Sequence, residues 1–129
     1  MLYTHATPRS DEEIVTPATS DEEIAEILVG VEQGAVIVGH THMQQDRRIG
    51  SVRWVNAGSV GMPYEGELAA FWALVDDGEV ELRKTPLEVD DVADAFRRSE
   101  WPRADELLRE NVLQTASREQ ATAEIEAGK

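Results

Sequence analysis

The chain has 129 residues, enough for one domain with a substantial core. It contains 26 Asp and Glu residues against 12 Lys and Arg, for a formal net charge of −14, and no cysteine. Such an acidic surface repels nucleic-acid backbones and anionic lipids, so we expect no general nucleic-acid binding and no membrane association. The lack of cysteine excludes disulfides and thiolate metal ligands. Because neither a span of about 20 apolar residues nor a secretory signal is present, we expect a cytoplasmic location.

The N-terminal region predicts a strand, a loop and an amphipathic helix. Residues 1–4 are typical of a strand, and a strand this early suggests that the chain begins inside a domain. The pentapeptide Ser-Asp-Glu-Glu-Ile occurs at residues 10–14 and again at 20–24, each time with the Ser-x-x-Glu spacing of a capping box. We expect one helical turn after the first copy. The second copy leads into the apolar stripe of a longer helix, formed by Ile24, Ile27, Leu28 and Val31.

The central region predicts several strands. Residues 35–38 are Ala-Val-Ile-Val, and residues 48–55 indicate a single strand that carries Val52 and Trp54 on one face. Residues 69–75 are nearly all apolar, as expected of a strand covered on both sides. An Asp-Asp-Gly turn then leads into the alternating residues 79–85, so this pair predicts a β-hairpin.

The sequence after Pro86 changes to a helical period. Apolar residues recur at helical spacing between Val89 and Phe96 and again after Pro102, and Ser117 is a candidate cap for a last helix. We therefore divide the chain into residues 1–86, which we expect to be the C-terminal part of a domain, and a helical tail at residues 87–129. The tail is acidic and has no histidine, so we expect it to serve packing or homo-oligomer formation.

All three histidines follow strand-like segments. His5 follows the first strand, and His40 and His42 follow residues 35–38 after Gly39, which would allow a sharp exit from the strand. A neutral imidazole binds divalent metals near neutral pH. If the backbone at His40 and His42 is extended, their side chains point to one side about 6.6 Å apart. This spacing favours two ions about 3.5–4 Å apart over one shared ion, although a pair of surface histidines is the simpler alternative.

Three segments together resemble the calcineurin-like metallophosphoesterases of the compact prokaryotic phosphodiesterase kind. Residues 5–9, His-Ala-Thr-Pro-Arg, resemble the family's His-Gly-Ser-Pro-Arg segment. Residues 39–42, Gly-His-Thr-His, resemble its Gly-His-x-His motif, and residues 56–63, Asn-Ala-Gly-Ser-Val-Gly-Met-Pro, resemble its Asn-Pro-Gly-Ser-Val-Gly-x-Pro loop. The resemblance implies an α/β fold, namely the C-terminal half of a metallophosphoesterase-like β-sandwich flanked by helices, followed by the short helical tail.

The resemblance also implies a function and a metal site. The family hydrolyses phosphate mono- or diesters at two divalent ions, so we expect a small phosphate ester as substrate. Manganese is the expected metal, with Fe, Zn, Ni or Mg as alternatives. By resemblance His5 and His40 would ligate one ion and His42 the other, and no catalytic acid or base is identifiable. The residues that would shape the site are Gly39, Asn56, Gly58 and Ser59, although Asn56 could equally be a plain turn residue.

The family's Asp-x-His, Gly-Asp and Gly-Asn-His segments have no counterpart in this sequence. We therefore expect a truncated metallophosphoesterase that carries only the C-terminal ligands and has little or no activity by itself. Two alternatives remain open. The chain could be a non-catalytic binding or assembly module derived from the fold, or its three histidines could hold a single zinc ion.

Overall fold

The computed structural model describes residues 1–129, apart from the side chain of residue 111. The strands are β1 (Leu2–Tyr3), β2 (Ala35–Val38), β3 (Gln45–Ile49), β4 (Val52–Asn56), β5 (Ala69–Asp76) and β6 (Glu79–Pro86). The helices are α1 (Asp21–Ile27), α2 (Val89–Arg98), α3 (Ala104–Leu107) with a π-helical turn at Leu108–Val112, and α4 (Arg118–Ala127). Within this described chain, no helix is both long and apolar enough to cross a membrane.

The main sheet has the strand order β1-β2-β4-β3. Strands β1, β2 and β4 are parallel, and β3 runs antiparallel to β4. Strands β5 and β6 form a separate antiparallel hairpin. Because parallel strands end at the same edge of a sheet, the loops that follow β1, β2 and β4 emerge side by side.

Strands β2 and β4 are apolar because both faces of the sheet are buried at these strands. Val36, Val38 and Trp54 pack with α1 on one face. Ile37 and Val55, which point the opposite way, pack against the β5–β6 hairpin. The sheet therefore lies between a helix and a hairpin, which confirms the α/β fold class.

Two local predictions were wrong. Residues 48–55 do not form one strand, because the chain turns at Gly50, where φ is +58°, and separates β3 from β4. Residues 10–14 form no helical turn. There the carboxylate of Glu13 accepts hydrogen bonds from Thr7 and Arg9 instead of folding back on Ser10.

The helices of the tail form where the sequence predicted them. Ser117 caps α4 in a reciprocal capping box with Gln120. The last helix also packs back on the first part of the chain, because Ala121 is buried and the carboxylate of Glu126 accepts a hydrogen bond from Thr16. Strand β6 ends at Pro86, the last residue of the predicted first part of the chain. The division itself stays a prediction.

Candidate metal centre

His5 and His40 lie in contact at the common edge of the parallel strands. The amide of Gly39 donates to the carbonyl of His5 at 2.9 Å, which fixes the end of β1 beside the end of β2. The Nε2 atom of His5 then lies 3.0 Å from Nδ1 of His40, and the two rings meet edge to face at 4.8 Å between centroids. The sheet itself therefore brings together two of the predicted ligands.

The backbone at His40 and His42 is not extended. Strand β2 ends at Val38, and His40 and His42 have φ angles of +67° and +58°. This left-handed conformation is uncommon for residues other than glycine. The 6.6 Å spacing expected for an extended chain therefore does not apply. The sharp turn also falls at His40 and not at Gly39, whose φ is not positive.

His42 occupies a more enclosed position. Its Nδ1 atom is buried and has no hydrogen-bond partner among the described residues. Its ring lies 5.3 Å from the ring of Tyr64. Burial lowers the pKa of His42, a hydrogen bond with the backbone of Met62 acts in the opposite direction, and positive charge on His40 or His5 would lower the pKa further. The lowered pKa favours the neutral ring, which is the form that binds metals.

Asn56 connects the loop after β4 to the loop that carries the histidines. It is 1% exposed, and its amide nitrogen donates to the carbonyl of Gly39 at 2.6 Å and to Oγ1 of Thr41 at 3.0 Å. Its side-chain oxygen accepts from the amide of Gly58 at 2.9 Å. The structure thus favours the prediction of a hydrogen-bonding residue over that of a plain turn residue.

The other site-shaping residues act on the loop itself. Gly58 has a φ of +84°, and a Cβ atom there would lie 2.9 Å from both Gln44 Cγ and Phe71 Cβ. Ser59 accepts a hydrogen bond from the amide of Met62 at 3.1 Å. A Cβ atom at Gly39 would make only ordinary contact, 3.7 Å from the carbonyl of His5. Gly58 is therefore the position at which a side chain is excluded.

Sequence reasoning missed a group of polar residues behind His42. The side-chain amide of Gln44 donates to three carbonyls, those of Ala57, Trp72 and Arg83. Glu65 and Arg118 form an ion pair that contacts the backbone of Gln44. Glu65 and Arg118 lie 53 residues apart, and neither stands in a recognisable motif, so no sequence pattern indicated them.

The histidines fit a divalent ion in part. Imidazole nitrogens are common ligands of divalent metals, and which ring nitrogen is free to bind depends on the tautomer. His5 and His40 share a hydrogen bond at 3.0 Å, so both rings would be available at one place, and the unpartnered Nδ1 atom of His42 offers a further donor. However, no three His, Cys, Asp or Glu side chains of the described chain gather closely enough to hold a metal. The site thus presents imidazole donors without a neighbouring carboxylate.

Comparison with known protein families identifies the chain. The sequence model of the calcineurin-like phosphoesterase superfamily domain matches residues 2–77, more than half of the chain and the part that holds all three histidines. The chain belongs to this superfamily.

Solved structures support the same fold. The chain is similar to hypothetical protein PH1004 from Pyrococcus horikoshii OT3, with a TM-score of 0.65 and 20% identity, over 82% of this chain and 44% of that one. It is also similar to a metallophosphoesterase from Sphaerobacter thermophilus, with a TM-score of 0.63 and 19% identity, over 82% of this chain and 52% of that one. The chain thus spans about half the length of these structures. No curated protein sequence matches it significantly.

Proposed function

We propose that this chain supplies the histidine ligands of a two-metal centre that hydrolyses small phosphate mono- or diesters. The observation that carries the proposal is the contact of His5 with His40 at 3.0 Å, with the unpartnered Nδ1 of His42 on the same loop. Superfamily membership supports a phosphoesterase-type reaction. Divalent ions, when bound, polarise the phosphate ester and lower the pKa of a bound water.

In this proposal His5 and His40 hold one ion and His42 holds the other. His40 and His5 are suited to a shared ion because their rings already lie within hydrogen-bonding distance of each other. The ring of His42 lies beside that of Tyr64, and burial lowers its pKa, which favours the neutral form that binds a metal. Manganese is our first choice, with Fe, Zn, Ni or Mg as alternatives.

The remaining residues keep the histidine loop in place. Asn56 fixes the carbonyl before His40 and the hydroxyl between the two histidines. Thr41 is buried and also donates to the carbonyl of Val15 at 3.2 Å. The carbonyl before His40 and the side chain between the two histidines are thus held by hydrogen bonds. Such preorganisation favours metal binding because less conformational entropy is lost.

We further propose that carboxylate ligands come from residues outside this sequence. Hard divalent ions prefer carboxylate oxygen, and neutral imidazoles do not offset the charge of two dications. The matched part of the chain covers only 44% and 52% of the solved structures to which it is similar. We therefore expect the 129-residue chain to hydrolyse phosphate esters weakly or not at all without a complementing polypeptide.

Metal titration tests the proposal. Isothermal titration with MnCl2 and with ZnCl2 is applied to the wild-type chain and to His5→Ala, His40→Ala and His42→Ala. We expect each substitution to weaken binding at least 10-fold, the usual cost of losing a ligand or its support. Because the chain is strongly acidic, the control is Asp90→Asn with Asp91→Asn, which removes exposed carboxylates from the start of α2. Equal binding by the control and the histidine variants would contradict the proposal.

A second candidate function is that of a non-catalytic binding or assembly module. It is favoured by the lack of a complete ligand cluster among the described residues. This alternative predicts no histidine-dependent metal binding at all. A single zinc ion per chain that needs all three histidines would instead indicate a mononuclear site. The number of ions bound per chain therefore distinguishes the two-metal centre, the mononuclear zinc site and the non-catalytic module.

A further inference from the structure

The backbone of Gln44, two residues after His42, is held on both sides by the same ion pair. Its amide donates to Oε1 of Glu65 at 2.6 Å, and its carbonyl accepts from Nη2 of Arg118 at 2.6 Å. The Nη1 atom of Arg118 lies 3.0 Å from each carboxylate oxygen of Glu65. Arg118 is the first residue of α4, so the C-terminal helix contacts the segment that carries His42.

This ion pair is more enclosed than the others. The side chain of Glu65 is 11% exposed, the lowest value for any carboxylate in an ion pair of the described chain, and that of Arg118 is 35% exposed. Hydrogen bonds between ionised groups in such surroundings are stronger than those at an open surface. Removal of Arg118 would leave the largely buried carboxylate of Glu65 without its counter-charge. We expect this loss to weaken the hydrogen bond between Glu65 and the amide of Gln44 as well.

The residues beside Glu65 connect α4 directly to His42. The amide of Tyr64 donates to the carbonyl of His42 at 3.2 Å, and the rings of the two residues lie 5.3 Å apart. The amide of Gly66 donates to the carbonyl of Ala116 at 3.0 Å, just before the cap of α4. The segment 64–66 is thus bonded to His42 on one side and to the start of α4 on the other.

We propose that Arg118 is a positioning residue that, through Glu65, holds the left-handed backbone of His42 in its metal-binding orientation. The inference rests on the proposed function, in which His42 is a ligand. The helical tail, which contains Arg118, would then help to orient a metal ligand in addition to packing on the domain. The left-handed φ of +58° at His42 needs such support, because this conformation persists only where the surrounding structure fixes it.

A purely structural role of α4 predicts a different pattern. The helix packs through Ala121, which is buried, and through Thr122, whose hydroxyl contacts the sulfur of Met43 at 3.4 Å. The contact of Thr122 reaches Met43, between His42 and Gln44, but neither contact involves the hydrogen bonds to the backbone of Gln44. A substitution at Ala121 should therefore loosen the packing of α4 without removing either hydrogen bond to the backbone of Gln44, which makes it a matched control for Arg118.

The experiment compares Arg118→Ala, Arg118→Lys and Ala121→Gly in the full 129-residue chain. Amide hydrogen exchange at Gln44 and the imidazole NMR resonances of His42 are measured without metal at one fixed pH. We expect Arg118→Ala to speed exchange at Gln44 about 10-fold beyond any global change and to shift the His42 resonances. Arg118→Lys, which keeps the charge but loses the planar fork, should have an intermediate effect, and Ala121→Gly should have none.

Titration with MnCl2 adds a second readout. Arg118→Ala should weaken Mn²⁺ binding about 10-fold, as expected of a residue that supports a ligand, while Ala121→Gly leaves it unchanged. Unchanged Gln44 exchange and His42 resonances in Arg118→Ala, or equal changes in Ala121→Gly, would overturn the inference. If the wild-type chain binds no Mn²⁺, the proposed function fails, whereas the metal-free readouts still decide whether Arg118 positions His42.

Discussion

Nε2 of His5 and Nδ1 of His40 lie 3.0 Å apart although 35 residues separate them in the sequence. The contact follows from the parallel pairing of β1 with β2, because Leu2 and Tyr3 are in register with Val36 and Ile37. The register of the two strands therefore accounts for the approach of the two imidazoles. A divalent ion would find this pair of donors already assembled, which reduces the cost of binding.

The first prediction concerns coupling between the histidines. If His5 and His40 share one ion and His42 binds another, the effects of His5→Ala and His40→Ala on Mn²⁺ affinity should be strongly non-additive. The effects of His5→Ala and His42→Ala should add more closely. Double-mutant cycles measured by calorimetry check this. Equal coupling in both cycles would favour a single shared ion.

The second prediction concerns the backbone at His40. Both His40→Gly and His40→Ala remove the ring, but only glycine adopts a φ of +67° without steric cost. We expect the glycine variant to be the more stable by about 1 kcal/mol, since the left-handed conformation costs other residues ~1–2 kcal/mol. Urea denaturation of the two metal-free variants gives the difference. An alanine variant as stable as the glycine variant would show that the loop adopts another conformation.

The third prediction concerns Gly58. Gly58→Ala should lower the free energy of unfolding by about 2–4 kcal/mol, because the left-handed φ and the overlap with Gln44 and Phe71 both oppose a side chain. Gly30→Ala is the matched control. It has a similar φ of +87° but no atom within 4 Å of the added Cβ, so it should cost only ~1 kcal/mol. Similar losses in chemical denaturation would contradict the close approach at Gly58.

The fourth prediction concerns acid stability. Asp46 accepts two hydrogen bonds from Arg53, at 2.9 and 2.8 Å, and this contact holds the pKa of the carboxyl below its ordinary value of 3.8. The unfolded chain therefore binds the proton first, so the stabilisation is present above that value and is lost as the pH falls through the lower, folded pKa. Because the side chain of Asp46 is 41% exposed, we expect less than about 1 kcal/mol.

Denaturation of the wild-type chain and of Asp46→Asn over a series of acidic pH values measures this contribution. The asparagine variant should lose less stability on acidification than the wild type. Asp90→Asn, at an exposed position in the first turn of α2, serves as the control. A parallel loss in Asp46→Asn and the wild type would exclude a role for the Asp46–Arg53 pair.

The sequence predicted the features that depend on neighbouring residues. The capping box at Ser20 and Glu23 and the hairpin of β5 and β6 are set by local hydrogen bonds and by alternation of apolar residues. The placement of His5 and His40 at strand ends was also visible, because each follows an apolar run. Their approach to 3.0 Å required the parallel pairing of the strands, which the sequence pattern does not specify.

Other features depend on distant residues and could not be predicted. Strand β3 is largely polar, and it pairs with β4 because Gln45 and Ile49 face inward while the residues between them are partly or fully exposed. The carbonyl of His42 accepts a hydrogen bond from the amide of Tyr64, and the ion pair of Arg118 with Glu65 joins the tail to that segment. No short motif encodes such contacts.

The docking of α4 has a consequence for the order of folding. The hydrogen bond from Thr16 to Glu126 closes a loop of 110 residues, and such distant contacts carry a larger entropic cost than local ones. Contacts of high sequence separation slow folding, so we expect α4 to dock after the sheet and α1 have formed. The segment around His42 should then reach its final geometry only in the last step. Refolding followed at Gln44 should therefore be slower than refolding followed at the buried Trp54.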